Sequence, residues 1–152
     1  MRLGVDVGRA RVGIARSDPH GVLATPVETL ARRDQPVTSI QRLVTEYEVI
    51  EVIVGLPLSL SGAETASTDD SRAVAEQLAD ELAVPVRLVD ERLTTVSAAR
   101  GLREAGRTAK NSRSVVDQAA AVILLQHALE LERSTGNPPG ALVEPHERRP
   151  IA

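Results

Sequence analysis

The sequence predicts a mixed α/β fold: a five-stranded sheet, three antiparallel N-terminal strands followed by parallel ones, flanked by helices. Three observations predict it. Residues 3–7 and 11–16 alternate apolar with small or polar residues about a short turn. Between Val49 and Glu91 a strand, a helix and a strand succeed one another, a unit expected to be parallel and right-handed. From residue 114 to about residue 133 a long helix carries a stripe of small and apolar residues.

In the first strand, alternation places Leu3, Val5 and Val7 on one face and Gly4, Asp6 and Gly8 on the other. Gly8-Arg9-Ala10 turns the chain into the second strand. A third, over residues 22–30, follows the Asp18-Pro19-His20-Gly21 turn. Asp34 and Pro36 suit an N-cap and first helical turn. Val37, Ile40, Leu43, Val44 and Tyr47 then recur at helical spacing, which makes Tyr47 a core residue. Residues 49–54 form the strongest strand signal, ended by Gly55 and Pro57. A Ser/Gly-rich loop, residues 59–65, leads to a helix over about 68–82, where Asp69 and Asp70 suit the helix N-terminus. After Pro85 come a strand at 86–91, a short helix at about 95–105, a basic loop at 107–113 and the long helix. Residues 1–133 read as one domain and 134–152, opening on a Gly-Asn-Pro-Pro-Gly run, as a flexible tail.

Composition narrows the function classes. The 152 residues include no Phe, Trp or Cys, one Tyr and one Met, so the core must be Val, Leu, Ile and Ala. The absence of cysteine excludes disulfides and thiolate metal sites. No basic segment followed by an apolar run opens the sequence, and no window is apolar enough to span a membrane. A soluble cytoplasmic protein without a membrane partner is the expectation. With a net charge of −3 and almost no rings to stack on bases, any contact with nucleic acid should be through phosphates and shape.

Three carboxylates stand out. Asp6 lies between glycines in an apolar strand, where a charge is costly unless something meets it and the missing side chains leave room for a ligand; the competing reading is a cap on the hairpin turn. Asp117 shares a helical stripe with Ala120, Ala121, Leu124, Ala128 and Leu131, away from Gln126 and Glu130. Its competing reading is a capping box with Ser114 as N-cap. In Asp90-Glu91-Arg92, alternation sends the two acids to opposite faces, so at most one joins Asp6. Carboxylates from separate elements, without a cluster of N or S ligands, suit a hard cation, Mg²⁺ or Mn²⁺. Two such ions activate a water and stabilise the leaving oxygen of a phosphodiester. Between Arg92 and Val116 six bases (Arg92, Arg100, Arg103, Arg107, Lys110 and Arg113) face one acid, Glu104. Of these Arg92, Arg107, Lys110 and Arg113, with Arg11 beside the hairpin turn, are the expected contacts to backbone phosphates.

These residues fall in four motifs: Gly4-Val-Asp6-Val-Gly8 with Arg11-Val-Gly13-Ile-Ala15, Val54-Gly-Leu-Pro-Leu58, Asp90-Glu-Arg-Leu-Thr-Thr95, and Asp117-Gln-Ala-Ala-Ala-Val-Ile-Leu-Leu125. Together they resemble the YqgF or RuvX family of Holliday-junction-resolvase-like proteins, over residues 3 to about 130. The resemblance implies an RNase H-like fold, a nuclease dependent on divalent metal, and maturation of the 5′ end of 16S rRNA. It also implies that Asp6, Glu91 and Asp117 are the catalytic, metal-holding acids, which selects Glu91 over Asp90. One departure is Ser61, which precedes Gly62 where the family often has Asp.

The expected function is therefore metal-dependent cleavage of structured nucleic acid, most simply pre-16S rRNA, by a monomer or homodimer. A branched-DNA resolvase is the nearest alternative. A non-catalytic ribosome-assembly module and a nucleotide binder of the actin and sugar-kinase type are alternatives from other classes.

Overall fold

The computed structural model describes residues 1–92 and 110–145, the side chains of 110–117 excepted. Its sheet has six strands: β1 (Arg2–Val7), β2 (Arg11–Ser17), β3 (Ala24–Ala31), β4 (Glu51–Leu56), β5 (Val86–Asp90) and β6 (Ala141–Val143). Their spatial order is β3-β2-β1-β4-β5-β6. β1, β2 and β3 pair antiparallel, β4 and β5 run parallel to β1, and β6 closes the far edge antiparallel to β5. The described helices are α1 (Pro36–Glu46), α2 (Ala66–Glu81) and α3 (Lys110–Thr135). The short helix expected over 95–105 lies outside the described residues.

Strand alternation divides the core in two. Leu3, Val5, Val7, Val52 and Val54 face one side, where Ile40 and Leu43 of α1 and Val74, Ala75 and Leu78 of α2 cover them. Ala15, Ile53 and Val89 face the other, under Ala120, Ala121, Leu124, Leu125, Ala128 and Leu129 of α3. The buried stripe of α3 is thus turned from Leu131 towards Leu125 and Leu129. Gly4 lets this helix approach: a Cβ there would sit 2.8 Å from Leu125 Cβ and 3.1 Å from the Ala121 carbonyl oxygen. Gln126, expected on the polar face, docks the helix instead, accepting from Ala24 N at 2.9 Å and donating to Val22 O at 2.9 Å.

Several expectations are corrected. The sixth strand falls within residues 134–152, which the sequence assigned to a tail. It has only three residues and needs Gly140, at φ +66°, to lay the chain against Leu88, so no periodicity announces it. α1 is preceded by Gln35 at φ +53° without a side-chain cap, and Asp34 ends a 3₁₀ turn, Arg32–Asp34. α2 begins earlier than expected, with Thr65 and Thr68 forming a reciprocal capping box. Tyr47 ends α1 only partly buried, its ring 4.4 Å from the Arg16 guanidinium carbon. α3 starts at Lys110, so Lys110 and Arg113 are helical and Ser114 lies more than a turn inside rather than at an N-cap. Among the described residues no helix is long and apolar enough to cross a membrane.

Candidate active site

Asp6 is fully buried within β1, opposite Gly13 of β2, rather than at the exposed hairpin tip where a turn cap would sit. β1 and β4 run in parallel register, Val5 opposite Val54, so Asp6 and Gly55 are the next pair towards the strand ends. Gly55 turns to the α3 side, since a Cβ there would lie 3.2 Å from Leu124 Cδ2. The same Cβ would overlap Oε1 of Glu91. Glu91 follows the last residue of β5, its amide donating to Leu56 O at 3.2 Å, and its side chain is only 1% exposed. Two buried carboxylates from different strands thus meet the same face of the sheet around one bare glycine. They lie at the carboxyl ends of the parallel strands, where ligands of open α/β sheets gather.

Asp117 lies in α3, one residue before Gln118. Gln118 Nε2 donates to Thr29 Oγ1 at 3.2 Å, and Thr29 pairs with Gly13, which pairs with Asp6. The row of the sheet that holds Asp6 is therefore met by α3 at the residue after Asp117. With the helix beginning at Lys110, the capping box no longer accounts for an acid at 117.

The neighbouring Asp90 has a different environment. Its carboxylate accepts from Arg92 Nη2 at 2.7 Å, Nε at 2.9 Å and the Arg92 amide at 2.9 Å. The Arg92 guanidinium holds the Asp90 carboxyl below its ordinary value, and Asp90 in turn raises the pKa of Arg92. Arg92 also lies over the loop after β4: a Cβ at Gly62, which has φ +87°, would come 2.8 Å from Arg92 Nη1. The Ser59 and Ser61 hydroxyls bond each other at 2.9 Å and Ser59 Oγ accepts from Ala63 N at 3.0 Å, so these serines brace the loop.

Of the expected phosphate contacts, Arg11 is half-buried at the start of β2 and Arg92 stands at the rim beyond β5. Arg107 lies outside the described residues. Lys110 and Arg113 are in the first turns of α3. Among the described residues no group of three His, Cys, Asp or Glu side chains is arranged to hold a metal ion. Sequence reasoning put Gly55 with Asp6 and Glu91 near the carboxyl ends of the parallel strands but gave it no role beyond ending its strand. A glycine inside a strand, next to an acid-bearing neighbour, was the available signal.

A family model described as "RuvX: Holliday junction resolvase" matches residues 1–131. A relative from Clavibacter michiganensis subsp. michiganensis is 58% identical over 145 residues, covering 93% of this chain and 90% of its own. One from Streptomyces coelicolor is 58% identical over 146 residues, covering 94% and 87%. Both are named as candidate pre-16S rRNA nucleases. Among solved structures, Thermus thermophilus RuvC in complex with a Holliday junction substrate superposes with a TM-score of 0.54 at 15% identity, over 88% of this chain and 96% of that one. This likeness shows the RNase H-like fold that the motifs implied, with one strand more than expected. By the extent of the family match and the identity of its relatives, the chain belongs to the RuvX family.

Proposed function

We propose that the chain is a divalent-metal-dependent nuclease, with Asp6, Glu91 and Asp117 as its catalytic acids and pre-16S rRNA as its substrate. The observation that carries this reading is the pair of buried carboxylates, Asp6 at 0% and Glu91 at 1% exposure, on one face at the strand ends. An all-oxygen donor set fits Mg²⁺ or Mn²⁺, and the bare Gly55 makes room over the sheet for the Glu91 carboxylate. When bound, such ions supply Lewis acidity and an activated water for phosphodiester hydrolysis. The protein's part is to fix the acids from separate elements, exclude bulk water behind them and seat the backbone against the arginines at the rim.

The names of the relatives support RNA as substrate, whereas the family description and the RuvC likeness favour branched DNA as the second reading. Cytoplasmic location follows from the rRNA reading. The test is direct: one preparation, with Mg²⁺ or Mn²⁺, is offered a labelled 5′ leader of pre-16S rRNA and a four-way DNA junction. Cleavage of the leader in preference to the junction is expected. The reverse preference would assign the second reading, and cleavage of neither would contradict the nuclease reading.

A further inference from the structure

The tip of the first hairpin is held by an arginine that is itself neutralised. Arg32 Nη1 donates to Gly8 O at 2.9 Å and to Asp70 Oδ2 at 2.7 Å, while Nη2 donates to Asp70 Oδ1 at 2.9 Å. The Arg32 amide also donates to Ala10 O at 2.9 Å. This bond continues the β2–β3 ladder beyond Arg11 opposite Ala31. The next residues out are Arg9 and Arg33, both exposed, and among the described residues no carboxylate pairs with either. The local balance is four arginines (Arg9, Arg11, Arg32, Arg33) against two acids, Asp34 and the engaged Asp70. Arg9 lies in the hairpin turn and Arg33 in the 3₁₀ segment Arg32–Asp34, so the two exposed cations flank a tip that Arg32 holds fixed, a setting suited to backbone phosphates.

The position is informative. Arg9 is three residues beyond Asp6, at most about 10 Å along an extended chain, which is within a few nucleotides of a phosphodiester at the carboxylates. In the strand order this tip lies on the β2–β3 side of the carboxylates, and Arg92 lies on the β5 side. We propose that Arg9 and Arg33 form a phosphate clamp that holds the nucleic-acid backbone on the hairpin side of the active site. The clamp rests on the nuclease reading and adds the direction in which the strand crosses the sheet end.

The test is binding of the full chain to a labelled RNA stem-loop and a labelled four-way DNA junction, without divalent ions, across a range of salt. The double variant Arg9→Gln/Arg33→Gln should lower the slope of log K against log[salt] by about 1.5–2 and weaken binding about tenfold or more. Arg9→Lys/Arg33→Lys should keep the slope, because the charge is kept. Arg42→Gln, on α1 and ion-paired with Glu28 and Glu46, should bind like the wild type. Wild-type binding with an unchanged slope in the Gln double variant would overturn the clamp alone. Failure of the wild type to bind either probe would overturn both the clamp and the nuclease reading.

Discussion

The Glu91 side chain lies across Gly55, occupying the space that a Cβ at position 55 would need. This ties the carboxylate beyond β5 to the strand beside Asp6 and makes a backbone atom's neighbour into part of the site. Its consequence is that the two glycines of this face should be costly to replace for different reasons. Gly55→Ala displaces Glu91 and should reduce cleavage at least a hundredfold, with a stability cost of about 1–3 kcal/mol for overpacking. Gly4→Ala meets Leu125 and the Ala121 backbone instead, so it should cost similar or greater stability by lifting α3. Thermal melts and cleavage rates of the two variants, with rates taken well below their melting points, check the distinction.

Asp90 and Glu91, adjacent in sequence, should behave as different kinds of residue. Asp90→Asn leaves the two buried carboxylates in place and should retain most activity, whereas Glu91→Gln should abolish it. Because Asp90 has its folded pKa lowered by Arg92, its stabilising effect is present above the ordinary carboxylate pKa. It is lost as pH falls through the depressed folded value. The stability difference between wild type and Asp90→Asn, small as for other surface pairs, should therefore be seen at pH 7 and shrink in acid. Paired melts at neutral and acidic pH measure it; a difference that grows in acid would reverse the assignment.

Arg32 joins the hairpin tip to α2 through Gly8 O and a bidentate bond to Asp70, with its side chain about one-quarter exposed (26%). Arg32→Gln should destabilise by about 1–2 kcal/mol, the range for charge-assisted hydrogen bonds reduced for partial exposure. That corresponds to a fall of about 3–6 °C in Tm for a domain of this size. Arg32→Lys should recover little, since a single ammonium does not reproduce the fork.

The legible parts of the molecule were those with strong period. Leu3, Val5 and Val7 alternating, the apolar run before Gly55, and Ala120, Ala121, Leu124 and Ala128 all fall where their periodicity put them. Asp6 stood out because a charge in an apolar setting contradicts packing, whereas alternation left Asp90 and Glu91 open and only the family resemblance chose between them; Asp6 and Glu91 are both buried. What was illegible depended on contacts distant in sequence. β6 exists because Gly140 turns the chain back onto β5, some fifty residues earlier. Gln126 looked like a solvated residue because its partners, Val22 and Ala24, lie across the molecule. Ser114 and Asp117 imitated a capping box, yet the helix extends a further turn towards its N-terminus. Gly55 and Arg32 gave no periodic signal, since their importance lies in a partner's side chain or carbonyl rather than in their own burial.

The most direct measurement is cleavage of a labelled pre-16S leader, with Mn²⁺ or Mg²⁺ supplied, by the wild type and by Asp6→Asn, Glu91→Gln and Asp117→Asn, each first shown to be folded by its melting transition. The account predicts wild-type cleavage that stops when the metal is chelated, and a loss of about a thousandfold or more, on the order of 4 kcal/mol in the barrier, in every single variant. Undiminished cleavage by any folded variant of the three would contradict it.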